Sequence, residues 1–283
     1  MPTFKDATSL QAFLNPQRTG NNTVGFVPTM GALHKGHLAL VTSALSQNEI
    51  VVVSIFVNPT QFGNAGDLKN YPRTLSKDET LLKTLHNDII VFAPNAEDLY
   101  NGNITSNSYN FGAIANEMEG KYRQGHFNGV GTVLELLFDI VKPDYAYFGE
   151  KDFQQLQIVR KLISLTKQPV TIVGCPIYRE NSGLAMSSRN ERLSKERRDA
   201  SAFIYKTLQK VKEDFKYKSA RQLNEWVKSE FDKQEALDLE YFEIANIDTL
   251  KTIKRKHKNN KYRAFIAVFV EDVRLIDNVS LNY

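Results

Sequence analysis

The stretch Val24–Val41, "VGFVPTMGALHKGHLALV", passes from a β-branched apolar run, through a turn marked by Gly31 and Gly36, into a segment with apolar residues at helical spacing. A strand, a glycine-punctuated turn and a helix make one βα unit, and repeated units of this kind build a parallel sheet. Pro28 is expected to end the regular ladder, Gly31 to permit a tight turn, and Gly36 to let the backbone approach a ligand near the next helix.

Working outward, four further runs read as strands: "EIVVVSIFV" (Glu49–Val57), "DIIVFAP" (Asp88–Pro94), "DYAYFGE" (Asp144–Glu150) and "PVTIVGC" (Pro169–Cys175). Between them, apolar residues at three- and four-residue spacing predict helices over Leu38–Gln47, Ser76–His86, Val130–Val141 and Phe153–Thr166. The alternation predicts a Rossmann-like, doubly wound parallel sheet of the α/β class. After Pro176 the texture changes to charged helices over Lys195–Phe215 and Ala220–Lys233, then two strands, "LDLEYFEIAN" (Leu237–Asn246) and "YRAFIAVFV" (Tyr262–Val270). A chain of 283 residues exceeds the usual size of one domain. We therefore expect a first domain over 1–176 and a smaller α+β domain over 177–283, with the boundary in "CPIYRENSG" (Cys175–Gly183).

Composition narrows the function. Apolar residues make up 42% and charged residues 24%, near the soluble globular average. Lys plus Arg exceed Asp plus Glu by only 36 to 32, so no concentrated basic stripe favours nucleic acid. The densest basic run, "KTIKRKHKNNK" (Lys251–Lys261), lies between the two C-terminal strands and reads as a solvated hairpin loop. A single cysteine, Cys175, precludes an intramolecular disulfide and fits a reducing compartment. With no signal-like leader and no membrane-spanning apolar run, the expectation is a cytoplasmic protein without a membrane partner.

In open parallel sheets, ligands sit beyond the carboxyl ends of the strands, and four polar clusters occupy such loops. In the opening stretch His34 and His37 stand where a helix begins. Its free N–H groups and partial positive charge suit an anion, and the same field disfavours a charged imidazole beside it. The pair also reads as half of a metal site, with no nearby third soft ligand. In "FGEKDFQQ" (Phe148–Gln155), Gly149 marks close backbone approach, Lys151 supplies a cation, and Asp152 can accept ribose hydroxyls or serve as a helix cap. In "YRENSGLAMSSRN" (Tyr178–Asn190), Ser187, Ser188 and Arg189 suit phosphate oxygens, although such residues are common in ordinary loops. Gln61 and Gln155 can each present a neutral donor and acceptor to a small hydroxy acid. Arg123 and His126, in a polar turn before a helix, can hold a carboxylate.

Together these clusters resemble the pantothenate synthetases, the pantoate and β-alanine ligases among the nucleotidyltransferases that carry a His-x-Gly-His motif. The resemblance runs through "PTMGALHKGHLALV" (Pro28–Val41), "VSIFVNPTQFG" (Val53–Gly63), "DLKNYPRTLSKD" (Asp67–Asp78), "GHFNGVGTV" (Gly125–Val133), "FGEKDFQQLQIVR" (Phe148–Arg160), "GLAMSSRN" (Gly183–Asn190) and "RLIDN" (Arg274–Asn278). It implies that Met30, Gly31, Ala32, Leu33, His34, Lys35, Gly36 and His37 form the ATP loop, with His37 the proton donor and His34 its neighbour on the phosphates. It implies an ATP-binding segment of Gly149, Glu150, Lys151 and Asp152, the last towards the ribose, and a second phosphate-facing loop of Met186, Ser187, Ser188 and Arg189. Tyr178 matches a position that contacts the nucleotide through its backbone, and Gln61 and Gln155 match glutamines that hold pantoate. His37, His34, Lys151 and Arg189 are thus the expected catalytic set.

The resemblance further implies ATP as cosubstrate and a homodimer; Mg2+, with no assigned protein ligand, is expected because it normally neutralises ATP's clustered phosphates, and the linker directly preceding "AMSSRN" leads us to expect the C-terminal domain to act as a lid. The implied reaction joins pantoate to β-alanine through a pantoyl adenylate. Another adenylyl or cytidylyl transferase of the same architecture is the alternative, as is a noncatalytic nucleotide sensor. The sequence departs from the family pattern at Ser182-Gly183 in place of Asp-Gly, at Gln124 in place of Pro, and at "EDVRLIDN" (Glu271–Asn278) in place of GxTRLIDN.

Overall fold

The computed structural model describes residues 1–63 and 65–281, in two compact units. The first comprises Met1–Phe111, Tyr122–Glu150 and Gln155–Pro176; the second comprises Gly112–Lys121, Lys151–Gln154 and the chain from Ile177 onward.

Among the described residues, the first unit's sheet has six strands: β1 (Thr3–Phe4), β2 (Val24–Thr29), β3 (Ile50–Ile55), β4 (Ile90–Phe92), β5 (Tyr145–Gly149) and β6 (Thr171–Cys175). All pairings are parallel, in the order β1-β4-β3-β2-β5-β6. Along the same part of the chain run the helices α1 (Ala7–Leu14), α2 (Lys35–Leu45), α3 (Ala65–Asn70), α4 (Leu75–Lys83), α5 (Ala96–Leu99), α6 (Met118–Tyr122), α7 (His126–Val141) and α8 (Phe153–Thr166). The Val- and Ile-rich strands are buried almost throughout because helices cover both faces of a parallel sheet.

Successive side chains on a strand point to opposite faces. Val27, Val51, Val53 and Val91 therefore pack with Val41 and Ala44 of α2 and Leu82 of α4. On the other face Phe26 meets Phe138 of α7 edge-on, with ring centroids 6.1 Å apart. Each such apolar side chain taken fully out of water contributes about 1.5–3 kcal/mol. Pro28 lies inside β2, opposite Ser54 of β3, and does not end the strand as its missing N–H suggested. The reason is local: β5 pairs only with Gly25 and Phe26, so at Pro28 that side of β2 has no ladder to interrupt.

From β2 the chain steps outward one way to β3 and β4, then returns to the opposite side for β5 and β6. The direction of winding thus reverses between β2 and β5. A crevice beyond the carboxyl ends of two such strands is where doubly wound sheets place their ligands.

Among the described residues, the second unit contains a three-stranded antiparallel sheet of β7 (Asp238–Asn246), β8 (Tyr262–Val270) and β9 (Val273–Leu281) in sequential order. Helices α9 (Lys195–Ala200), α10 (Ala202–Asp214) and α11 (Ala220–Phe231) belong with it. Ile204, Leu208 and Val211 of α10 and Leu223, Val227 and Phe231 of α11 pack with Ile244, Ala264, Ile266 and Val268. The basic run Lys251–Lys261 connects antiparallel β7 and β8, as a hairpin loop should.

Two further sequence readings need correction. β9 adds a third strand to the two expected. The helix read over Lys195–Phe215 is broken at Ser201, whose buried hydroxyl donates to the Arg197 carbonyl at 2.7 Å and competes with the helical backbone.

The segment Gly112–Lys121 joins the second unit through buried polar contacts. Arg274 donates to both oxygens of Glu119, at 2.7 and 2.9 Å, and its Nε donates to Glu240 at 2.9 Å. Burial works against the guanidinium's charge, but these carboxylates more than offset it and hold its pKa above the ordinary value. Tyr241 also donates to Glu119 at 2.9 Å, and burial together with that carboxylate pushes its phenol upward. Buried Gln154 completes the attachment by donating to the carbonyls of Ile114 and Glu117, both at 2.8 Å. Among the described residues, no helix is long and apolar enough to cross a membrane.

Candidate active site

The first unit's site begins where β2 ends. Gly31 has a φ of +80°, a left-handed conformation that side chains rarely adopt, and a Cβ there would lie 3.1 Å from Asp78. Asp78, only 2% exposed, accepts from the backbone N–H of Ala32 at 3.0 Å and of Leu33 at 2.7 Å. The Thr74 hydroxyl donates to the same carboxylate. Within the Met30–His37 loop, these two amides thus serve the turn itself.

His34 is the N-cap of α2, and its Nδ1 accepts from the Gly36 N–H at 3.1 Å. An accepting Nδ1 puts the proton of a neutral ring on Nε2, which makes that nitrogen a donor. His37, one turn in, stacks on His34 with ring centroids 4.0 Å apart and an interplanar angle of 25°. Two like charges about 4 Å apart repel by about 4 kcal/mol near a protein surface, so the stack favours at least one neutral, hydrogen-bond-donating ring.

Beyond β3, a 3-10 turn at Pro59–Gln61 presents Gln61. Asn58, 1% exposed, is its holder: its Nδ2 donates to Gln61 Oε1 at 3.0 Å and to the Gly129 carbonyl at 3.2 Å. Tyr100 donates to Asn58 Oδ1 at 2.6 Å, which fixes the amide's orientation. Gln61 Nε2 accordingly faces the Met30 sulfur at 3.2 Å. His126 Nδ1 lies 2.8 Å from the Gln61 carbonyl, which only accepts, so Nδ1 carries a proton. With a neutral ring, His126 Nε2 then accepts from Arg123 Nη1 at 3.2 Å. Met30, Gln61, Arg123 and His126 are therefore brought together in the first unit. Gln155 is half-buried near the start of α8.

Sequence reasoning assigned no role to Asn58, Asp78 or Tyr100. The first two lie inside motifs already singled out, "NPTQFG" and "DLKNYPRTLSKD"; only the fold shows what they hold. Cys175 is buried at the end of β6, where burial pushes its thiol upward and away from reactivity.

Strand β5 delivers Gly149 and Glu150, and the chain continues into the second unit with Lys151 and Asp152. Lys151 Nζ lies 3.5 Å from Asp152 Oδ1. In the second unit, Tyr178 to Met186 form a small hairpin, with Met186 donating to the Tyr178 carbonyl at 3.0 Å and an Arg179–Ala185 bridge between. Ser187 then caps the 3-10 turn Ser188–Arg192, its hydroxyl accepting from the Arg189 N–H at 3.3 Å. Buried Asn190 pins that turn to the hairpin by donating to Glu180 at 2.7 Å and to the Ala185 carbonyl at 3.1 Å.

A sheet wound both ways from β2, with a His-x-Gly-His turn at the reversal point, defines a Rossmann-like α/β protein with the two histidines at the usual ligand crevice. Residues 2–280 match the model of the pantoate-beta-alanine ligase family. The pantothenate synthetase of Flavobacterium psychrophilum is 54% identical over 278 residues, covering 98% of this chain and 99% of its own. That of Christiangramia forsetii is 52% identical and is covered in full. The crystal structure of pantothenate synthetase from Thermus thermophilus superposes with a TM-score of 0.90 at 38% identity over 99% of each chain. The pantoate-beta-alanine ligase of Francisella tularensis, solved with beta-gamma ATP and beta-alanine, gives 0.82 at 35% identity, over 99% of this chain and 97% of its own. The chain belongs to the pantoate-beta-alanine ligase family.

Proposed function

We propose that this chain condenses (R)-pantoate with β-alanine at the expense of ATP, forming pantothenate, AMP and pyrophosphate through a pantoyl adenylate. The observation that carries this reading is the family match over residues 2–280, which takes in both sets of donors.

In the first step a pantoate carboxylate oxygen forms a bond to the α-phosphorus of ATP while the bond to pyrophosphate breaks. A carboxylic acid with a pKa of about 4 is ionised at neutral pH, so this step needs alignment and charge stabilisation but no base. Arg123 offers a guanidinium to the carboxylate, and Gln61 and Gln155 offer amides to the hydroxyls. His126, buried with one ring nitrogen on the Gln61 carbonyl and the other on Arg123, acts through them. Negative charge grows on the phosphoryl and pyrophosphate oxygens, and His34, His37, Lys151 and Arg189 are the donors that meet it. Asp152 accepts from the ribose, and Tyr178 contributes its backbone.

In the second step the deprotonated amine of β-alanine attacks the acyl carbon, the C–N bond forms, and AMP departs with the carboxyl oxygen it received. Mg2+ is expected to accompany the ATP phosphates and neutralise part of their charge. Among the described residues, no three His, Cys, Asp or Glu side chains gather to hold a metal. We place the enzyme in the cytoplasm as a homodimer, in line with its single cysteine and its family.

A cosubstrate-dropout assay tests the reaction. Pyrophosphate is expected from ATP and pantoate without β-alanine, at about one equivalent per site, and AMP with turnover only when all three are present. Pyrophosphate release that ignores pantoate, or that needs a phosphorylated acceptor, would assign the chain to another transferase.

A further inference from the structure

The motif Arg274–Asn278 has no role in the reaction as described, yet it contains two polar side chains where the fold favours apolar ones. Val273, Leu275, Asp277, Val279 and Leu281 share one face of β9, and the four apolar members lie in the second unit's core. Asp277 interrupts that row at 4% exposure, a placement that stability alone does not favour.

Its carboxylate accepts a two-pronged contact from Arg179, at 2.7 and 2.9 Å. Arg179 also donates to the Gly183 carbonyl at 3.0 Å and lies 3.7 Å over the Tyr205 ring. Asp277 thereby clamps the turn of the hairpin that leads into Met186–Arg189. The next residue, Asn278, is 1% exposed. Its Nδ2 donates to the main-chain carbonyl of Lys151 at 2.8 Å, its Oδ1 accepts from Arg263, and its backbone N–H donates to Asp277 at 2.7 Å. Arg263 in turn stacks over Phe153, 4.0 Å from the ring centroid, on the far side of Lys151 in sequence. Burial pushes the Asp277 carboxyl upward, while the Arg179 pair and the Lys151 charge act in the opposite direction.

Resting on the function proposed above, we infer that Asp277 and Asn278 are positioning residues for adenylate formation. Asp277 sets the Met186–Arg189 loop through Arg179, and Asn278 sets the backbone of Lys151. Two adjacent residues of one strand thus hold two separate cation-bearing segments in a single register for the ATP phosphates. A fixed spacing between ammonium and guanidinium is what an in-line displacement at phosphorus requires, and misplacement by about 1 Å can lower the rate by about 100-fold.

Asn278→Asp is the discriminating variant. It keeps an acceptor for Arg263 but replaces the donor to the Lys151 carbonyl with a second oxygen, so the arginine contact is kept while the backbone contact is lost. Asp277→Asn and Arg179→Lys weaken the other clamp. For each variant, three quantities are measured: pantoate-dependent pyrophosphate release from ATP, AMP release when chemically prepared pantoyl adenylate is supplied with β-alanine, and the melting temperature. Positioning predicts that kcat for pyrophosphate release falls by about 10- to 100-fold while aminolysis of the supplied adenylate stays within about threefold of wild type. A proportional fall in both half-reactions that tracks lost folded protein would overturn the inference, as would unchanged adenylation in Asn278→Asp. If Asn278→Asp does not fold, Asp277→Asn and Arg179→Lys decide by the same split. A wild-type protein that releases no pyrophosphate with pantoate would instead remove the underlying functional reading.

Discussion

Replacing His37 with alanine is expected to lower pantoate-dependent pyrophosphate release by about two to three orders of magnitude, the usual scale for removing one preorganised donor to a developing oxyanion. The size follows from the local architecture. His37 sits in the first turn of α2, where the helix end already favours negative charge, and its ring is held against His34 at 4.0 Å. His34 is itself fixed by the Gly36 N–H, so the pair presents donors without reorganising during the reaction. Because charge grows mainly in the transition state, the loss should fall on kcat, with the KM for ATP changed much less. Steady-state kinetics on folded His37→Ala decide the matter; a kcat within about threefold of wild type would remove His37 from the phosphate-stabilising set.

The second large effect is expected at Gly129, far in sequence from the phosphate turn. In an ordinary helix interior, alanine is more favourable than glycine by about 1 kcal/mol. Here an added Cβ would lie 2.4 Å from the Thr60 carbonyl oxygen and 2.7 Å from Gln61 Cα, because α7 runs directly against the Pro59–Gln61 turn. Backbone cannot yield as a flexible side chain does, so Gly129→Ala should destabilise the protein by about 1–3 kcal/mol, the usual cost of overpacking. Moving the turn also disturbs Gln61 and its links to Asn58, Met30 and His126. We therefore expect the KM for pantoate to rise by about tenfold, equivalent to about 1.4 kcal/mol of lost binding. Thermal unfolding and pantoate titrations check both parts, and a more stable variant with unchanged KM would show that the close approach does not govern the site.

The sequence was most informative where chemistry and periodicity coincide. Runs such as Ile50–Ile55 are apolar on both faces because helices cover both sides of the sheet, and a parallel doubly wound fold is then the natural reading. The turn at Met30–His37 was legible for the same reason, since its glycines punctuate the passage from a strand to a helix. Pro28 misled because a missing N–H matters only where a neighbouring strand would have used it. Ser201 was invisible as a helix break: an isolated serine in a charged helix carries no sign that its hydroxyl will take a backbone carbonyl. Asp78 and Asn58 were visible as residues but not as holders, because what they hold comes from other elements of the fold. His126 was read with Arg123, in a polar turn before a helix, as able to hold a carboxylate; the fold adds that it is buried between Arg123 and the Gln61 carbonyl.

The account as a whole turns on which phosphorus the substrate carboxylate attacks. Pantoate labelled with oxygen-18 in both carboxyl oxygens, incubated with ATP and β-alanine, gives the most direct answer by mass spectrometry of the products. Attack at the α-phosphorus predicts one labelled oxygen in AMP, one retained in the amide carbonyl of pantothenate, and none in pyrophosphate. Labelled inorganic phosphate formed together with ADP, or AMP without label, would contradict it.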